Sequence, residues 1–301
     1  MDRIRVLHPA APGGTALWAP VSGDYTAGLG DYLLQHEELG SPEDFGRVRA
    51  EASRILGRCL PPGPPDGRRT GLVIGYVQSG KTLSMTCLSA LARDNGFRIV
   101  VVISGTTDIL YGQSRERFEK HLRGGAASRE PWVMLANPTA AAHHRTFHTL
   151  VSDWRDQRVA PEDQRCLFIT VMKNYRHLEN LSALLGQEDL RGIDALVIDD
   201  EADQASLNTR PGTPTPSTTY TRLRQIRDRL PKHTFLQYTA TAQAIILISL
   251  LDMLSPDFAD VLETSPDYTG GRAFFVDRQD LVEDIPPAQL PAQVIGDIAP
   301  P

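Results

Sequence analysis

Long apolar runs and cysteine are scarce in this sequence of 301 residues. No stretch approaches the roughly 18 consecutive apolar residues of a transmembrane helix, and the N-terminus lacks the apolar core of a secretion signal. We therefore expect a cytoplasmic protein that does not enter a membrane. The three cysteines, Cys59, Cys87 and Cys166, lie far apart and match no paired metal-ligand spacing. Their odd number argues against a disulfide framework and predicts buried, reduced thiols.

An excess of positive charge is also missing, since the formal net charge is −6. Nucleic-acid-binding proteins usually carry a basic surface, so any contact with DNA has to be local. Only four of the 31 basic residues are lysines: Lys81, Lys120, Lys173 and Lys232. Because arginine fills most of the basic positions, each retained lysine becomes a candidate for a specific role.

Short apolar runs alternate with segments of helical period from Gly71 onward. The predicted strands are 72–74, 98–104, 132–135, 166–171, 195–199 and 234–238. The predicted helices are 81–93, 108–122, 175–185, 220–230 and 243–254. Near-continuous apolar strands separated by helices indicate a mostly parallel sheet that is covered by helices on both faces. The sequence therefore predicts an α/β fold.

Proline-rich segments divide the chain into three predicted parts. Residues 1–68 form a small helical N-terminal extension, in which the amphipathic stretch 42–60 precedes the breaker run 61–65. Residues 69–276 form the α/β lobe. Residues 277–301 form a Pro-rich tail or linker.

Residues 75–82, the phosphate loop, read Gly-Tyr-Val-Gln-Ser-Gly-Lys-Thr and follow a predicted strand. Between a strand and a helix, this pattern offers backbone NH groups, a positive helix end and a lysine for the β and γ phosphates. The predicted contacts come from Gly75, Gln78, Ser79, Gly80, Lys81 and Thr82. The Thr82 hydroxyl is also a predicted ligand of Mg²⁺. The sequence therefore predicts a site for ATP with Mg²⁺.

A second candidate feature is the acidic end of the apolar run 195–198, which continues as Asp-Asp-Glu-Ala-Asp. A strand that ends in carboxylates places them at the carboxyl edge of the sheet, where ligands of open α/β folds bind. We assign Asp200 to Mg²⁺ and Glu201 to activation of the attacking water. Together with Lys81, they are the predicted catalytic residues of an ATP hydrolase.

Several strings carry a family resemblance. Segments 200–203 and 238–242 resemble the second and third motifs of superfamily 2 helicases. The chain is also similar to bacterial Z1-domain proteins, helicase-like ATPases found with restriction and phage-defence genes. The strings that carry this similarity are 71–82, 105–110 followed by Gln113, 198–203 and 268–271. The resemblance covers about residues 69–275 and implies a RecA-like lobe.

The resemblance implies two further roles. Thr239 and Thr241 would couple hydrolysis to nucleic-acid binding, whereas Gly105 and Thr106 would lie on the face that contacts a nucleic-acid backbone. Both segments follow apolar strands, and Thr-capped turns between strand and helix are the alternative interpretation. Lys173, just after the predicted strand 166–171, is a further candidate for the nucleic-acid face because of its position.

The resemblance also implies partners. Only about 30 residues follow Gly271, whereas helicases of this kind use a second RecA-like lobe, which we expect in cis or in trans. The complete assembly is expected to hydrolyse ATP on DNA, together with other defence proteins. The alternative is a nucleotide-dependent interaction module of a defence complex that does not hydrolyse ATP. Residue 242 is Ala where related sequences commonly have Pro.

Three other candidates carry less weight. None of the lysines has an acidic residue two positions before it, which argues against a restriction-type nuclease centre. His144 and His148 would share a helix face, but Arg145 follows His144 and would repel a cation. The segment 222–232 is rich in arginine and is either a contact for phosphates or a solvated basic face.

Overall fold

The computed structural model describes residues 16–75, 80–125, 130–203, 218–241 and 255–263. These residues contain seven helices: α1 (Asp24–Gln35), α2 (Pro42–Leu56), α3 (Lys81–Asp94), α4 (Asp108–Gly124), α5 (Ala140–Arg155), α6 (Tyr175–Leu185) and α7 (Thr218–Arg229). They also contain seven strands: β1 (Gly67–Ile74), β2 (Ile99–Ser104), β3 (Trp132–Ala136), β4 (Cys166–Met172), β5 (Ala195–Asp199), β6 (Lys232–Thr239) and β7 (Phe258–Val261). Within these ranges, no helix has the length and apolar content to cross a membrane.

The described strands form one sheet in the order β3-β4-β2-β5-β6-β1-β7, and every neighbouring pair is parallel. All residues of β2, β4, β5 and β6 are buried, as expected for strands that are covered on both faces. The predicted α/β fold is confirmed.

Two hydrophobic cores cover the two faces of the sheet. The first contains Val100, Leu196 and Leu236 from the sheet, together with apolar residues of α1 to α4. The second contains Val101 and Val197, together with apolar residues of α5, α6 and α7. Alternate residues of one strand face opposite layers, so each apolar run of the sequence supplies both cores.

The two N-terminal helices pack as part of this lobe. Leu29 of α1 and Ile55 of α2 are buried in the first core, and residues up to Glu263 form one compact unit. The carboxylate of Asp94 accepts hydrogen bonds from the backbone NH groups of Gly23, Tyr25 and Thr26 at the start of α1. A residue distant in the sequence therefore satisfies the free donors of that helix end. The predicted extension thus shares the core of the sheet.

The structure differs from the predicted elements at two places. Strand β7 was not predicted, because it has only four residues, one of them acidic, and forms only by pairing with β1. Helix α5 was not predicted either, although Phe147, Leu150 and Val151 repeat at helical spacing and Thr139 caps it. The predicted helix 243–254 and the predicted tail 277–301 lie outside the described residues.

The three cysteines are buried and free, as predicted. Burial raises the pKa of Cys59, Cys87 and Cys166 to about 12, so all three are protonated thiols at neutral pH. They contribute apolar packing.

A neutral histidine is buried at the amino end of β6. Nδ1 of His233 donates to the Leu230 carbonyl over 2.7 Å, and Nε2 accepts from Arg227 Nε over 3.1 Å. Burial and then the nearby Arg227 charge lower the pKa of His233 to about 3. Because arginine can only donate, this arrangement requires the neutral ring.

We expect His233 to make folding stability fall on acidification. The unfolded histidine takes up a proton near pH 6.5, whereas the folded one does so only near pH 3. Its contribution is therefore fully present above pH 6.5 and is lost as pH falls through this window, at up to about 1.4 kcal/mol per pH unit. Urea denaturation between about pH 7 and pH 5 measures the slope. His233→Gln should flatten it, and an equal slope in the variant would contradict the assignment.

Candidate functional site at the carboxyl edge of the sheet

The two described ends of the phosphate loop lie beside the end of β6. The Gly75 NH donates to the Thr239 carbonyl over 2.9 Å, which fixes the start of the loop. Gly80 ends it, and α3 begins at the next residue, Lys81. Residues 76–79 lie outside the described residues, so the predicted contacts of Gln78 and Ser79 stay predictions.

Gly80 has the geometry that an anion cradle needs. Its φ of 79° lies in the left-handed region, which glycine adopts without strain. Among the described residues, no other atom lies within 4 Å of the position that a Cβ would take. As the N-cap residue it has no side chain to accept from the first turn of α3, so the NH groups of that turn can serve an anion.

Lys81 and Thr82 occupy the first turn of α3, and both are partly exposed. Lys81 Nζ is 3.4 Å from the Gly75 carbonyl, a long contact that spans the loop from its end to its start. The ammonium group therefore lies close to the start of the loop, and the sequence pattern predicts that it contacts a phosphate there.

Asp200 follows β5 directly and lies beside β2. Its NH donates to the Ile103 carbonyl over 2.9 Å, and its carboxylate accepts from Ser104 Oγ over 3.4 Å and from the Glu201 NH over 3.0 Å. Burial and then the Glu201 charge raise the pKa of Asp200, while Lys173 and Lys81 lower it. A buried carboxylate whose negative charge is under-compensated is suited to hold a cation.

Glu201 has an unusual backbone conformation. Its φ is 51°, in the left-handed region that non-glycine residues seldom adopt. Such a conformation persists only where neighbouring contacts enforce it, and it is common at functional sites. The side chain is partly exposed.

Asp203 joins the acidic segment to the end of β6. Its carboxylate accepts from Thr239 Oγ1 over 2.7 Å and from Thr241 Oγ1 over 2.5 Å. Burial acts to raise the pKa of Asp203, but the hydrogen bonds from Thr241 and Thr239 outweigh it, and the pKa is lowered. The sequence predicted no role for Asp203. Asp203 nevertheless lies in segment 200–203 and its two threonine partners lie in segment 238–242, the two segments that resemble helicase motifs.

Lys173 lies in a different place from the one expected. Its side chain is 1% exposed and forms an ion pair of 2.8 Å with Asp199, which is itself completely buried. The ammonium group faces into the protein, whereas a contact with a nucleic-acid phosphate requires an exposed cation. The sequence placed Lys173 correctly at the end of β4, but its position alone did not indicate which way the side chain points.

Gly105 and Thr106 follow β2 at the same edge. Gly105 has φ 65°, and a Cβ there would lie 2.6 Å from the Tyr111 nitrogen, so the turn requires glycine. Thr106 is exposed, and the next residue, Thr107, caps α4 by accepting from the Leu110 NH. The geometry is compatible with a nucleic-acid contact and with a Thr-capped turn between strand and helix. The role of this segment in nucleic-acid contact therefore stays a prediction.

The remaining candidates have structural partners. His144 and His148 both contact the Glu188 carboxylate, at 3.5 Å and 2.9 Å. Within the described residues, no group of three metal-ligating side chains occurs. In the arginine-rich segment, Arg227 and Lys232 are buried, and Lys232 pairs with Asp194 over 2.8 Å. These two residues are therefore neither a contact for phosphates nor part of a solvated basic face.

The order of the elements decides the fold type. The phosphate loop connects β1 to α3, the carboxylates follow β5, and β6 lies between these two strands. The chain has a RecA-like P-loop fold. A scan against protein-family models and a search of curated proteins found no match.

A search of solved structures found two proteins of interest. The Hef helicase domain of Pyrococcus furiosus is 15% identical with a TM-score of 0.42, over 64% of this chain and 34% of that one. Chloroplast FtsY from Physcomitrella patens is 14% identical with a TM-score of 0.31, over 80% of this chain and 75% of that one. This chain therefore spans about a third of the Hef chain. We infer no activity from either similarity.

We expect the two threonines that bind Asp203 to stabilise the fold. Thr241→Val keeps the shape but removes one donor from a partly exposed carboxylate, and should cost about 1 kcal/mol. Thr239→Val removes a buried donor and should cost about 2 kcal/mol. Urea denaturation measures both losses, and Thr241→Ser is the control that keeps a hydroxyl. If the valine variants were as stable as the unaltered protein, the contact would be incidental.

Proposed function

We propose that this protein binds ATP with Mg²⁺ at the carboxyl edge of the sheet and hydrolyses it. The observation that carries the proposal is that the end of β6 binds both the start of the phosphate loop and the acidic segment: the Gly75 NH donates to the Thr239 carbonyl and the Ala202 NH to the Tyr238 carbonyl, each over 2.9 Å. Lys81 is close enough to Asp200 to lower the pKa of its carboxyl group. A cation at a helix start and a carboxylate at a neighbouring strand end are the two halves of a nucleotide site.

The described residues fit a triphosphate and its metal ion. The NH groups of the first turn of α3, next to the open space at Gly80, and the Lys81 ammonium group would contact the phosphates. The Thr82 hydroxyl and the Asp200 carboxylate would hold Mg²⁺, which prefers oxygen ligands. When bound, the ion would neutralise charge on the phosphates.

The partners of the carboxylates indicate which of them would activate water. Asp199 is paired with Lys173, and Asp203 is held by two threonine hydroxyls. Asp200 is the carboxylate best suited to the metal ion. Glu201 is partly exposed, and its carboxylate forms no hydrogen bond or ion pair with another described side chain. Glu201 would therefore accept a proton from the attacking water and orient it.

We further propose that hydrolysis serves a helicase-like motor on DNA, with a second RecA-like lobe and in a bacterial defence context. The resemblance to Z1-domain proteins supports this proposal. The positions of Gly105 and Thr106 at the edge that carries the nucleotide site are compatible with it. So is the contact of Thr239 and Thr241 with the acidic segment. The resemblance favours a motor over an interaction module that does not hydrolyse ATP.

Glu201→Gln should lower ATP turnover by about 100-fold or more while ATP binding is kept, because only the water-activating group is lost. Lys81→Ala should lose both binding and turnover. Phosphate release with and without DNA, together with a binding titration, measures these effects. The matched control is Glu116→Gln on the exposed side of α4, which should leave turnover unchanged.

Stimulation of ATP turnover by DNA would support the proposed helicase-like motor. ATP binding without turnover, in the unaltered protein and with DNA present, would contradict hydrolysis and leave the interaction module. Equal turnover in the unaltered protein and Glu201→Gln would contradict the assigned role of Glu201.

A further inference from the structure

Three oxygen atoms of the described residues lie close to the ammonium group of Lys173. Nζ donates to the Asp200 carbonyl over 2.6 Å and to the Glu201 carbonyl over 2.9 Å. It also lies 2.8 Å from Asp199 Oδ1. The Lys173 backbone NH donates to the Gly105 carbonyl over 2.9 Å, which fixes the origin of the side chain. One lysine therefore contacts three consecutive residues of the acidic segment.

Stability alone does not explain a buried lysine at this place. Removing an ammonium group and a carboxylate from water is costly, and an apolar pair of similar volume often gives an equally stable core. Within the described part of the chain, neither oxygen of Asp199 has a well-aligned hydrogen bond, so its carboxylate is incompletely satisfied. Unlike an apolar side chain, a lysine can donate hydrogen bonds to backbone carbonyls and so hold them in place.

The two carbonyls belong to Asp200 and Glu201, and the proposed hydrolysis requires that the side chains of these residues point in a defined direction. They lie on either side of the backbone of Glu201, which has φ 51°. A left-handed conformation costs a non-glycine residue free energy and needs external support. By binding the carbonyl before and the carbonyl after this strained backbone, Lys173 supplies such support. The direction of both carbonyls sets the direction of the Asp200 and Glu201 side chains.

We propose that Lys173 is a positioning residue that holds Asp200 and Glu201 in the geometry required for hydrolysis. The proposal deepens the function proposed above and rests on it for its kinetic consequence. Lys173 binds the backbone carbonyls of the two carboxylate residues and would act on the reaction through them. Asp199 is the buried counter-charge of this lysine.

The neighbouring strand makes a clean test feasible. Lys173→Met keeps an unbranched stem but leaves the buried charge of Asp199 unpaired, and is expected to destabilise the fold. The double variant Lys173→Met with Asp199→Asn removes both charges. Gln237 pairs with Asp199 in the sheet register, and its buried amide has no hydrogen-bond partner among the residues that the structure describes. An asparagine at 199 therefore has an amide beside it, so the double variant should fold.

The first measurement does not depend on ATP turnover. Hydrogen–deuterium exchange of residues 199–203 should be about tenfold faster in the double variant than in the unaltered protein, with β2 and β4 unchanged. The matched control is Lys120→Met, which removes an exposed lysine that pairs with Glu38. Unchanged exchange of 199–203 in the double variant would overturn the proposal, whether or not the protein hydrolyses ATP.

The second measurement separates positioning from a purely structural ion pair. In the double variant, kcat for ATP should fall at least about tenfold while KM stays within about twofold, because misplaced catalytic groups slow the reaction without weakening substrate binding. A purely structural pair predicts that removing both charges restores kcat, and this result would overturn the proposal. Absence of turnover in the unaltered protein would contradict the proposed hydrolysis alone, and the exchange result then decides the role of Lys173.

Discussion

The parallel pairing of β6 with both β1 and β5 is the constraint on which the candidate site depends. The ladder continues past the strands on both sides: Gly75 donates to the Thr239 carbonyl, and Ala202 donates to the Tyr238 carbonyl, each over 2.9 Å. One strand end therefore fixes the start of the phosphate loop and the acidic segment together. Parallel strands end at a common edge, so this pairing places the phosphate loop and the acidic segment at the same edge of the sheet.

Much of this arrangement follows from local sequence pattern. The fully buried strands β2, β4 and β5 read as mainly apolar runs, and the phosphate loop and the acidic segment follow two of the predicted strands. Predicted strand ends agreed with the structure within a few residues, except for β1, which begins at Gly67 because its polar start pairs with β6. The α/β class and the common edge were therefore predictable.

The remainder depends on contacts between distant residues. Nothing next to Lys173 in the sequence indicates that its side chain turns inward to Asp199, and nothing near Asp94 indicates that it caps α1. Strand β7 exists because β1 offers it a pairing edge, and Arg54 and Arg58 of the α2 region bind its Asp260. The left-handed backbone of Glu201 is likewise set by its surroundings. Of these features, the inward-facing Lys173 and the backbone of Glu201 belong to the candidate site itself.

Calorimetric titration of ATP with Mg²⁺, and with the metal removed by chelation, tests the central claim most directly. The account predicts that Mg²⁺ strengthens ATP binding at least about tenfold, and that Asp200→Asn abolishes this gain while metal-free binding is no weaker. This result would mean that the Asp200 carboxylate and the phosphate loop belong to one site for ATP with Mg²⁺. No ATP binding, or an equal gain from Mg²⁺ in Asp200→Asn, would contradict a nucleotide site built from the ends of β1 and β5.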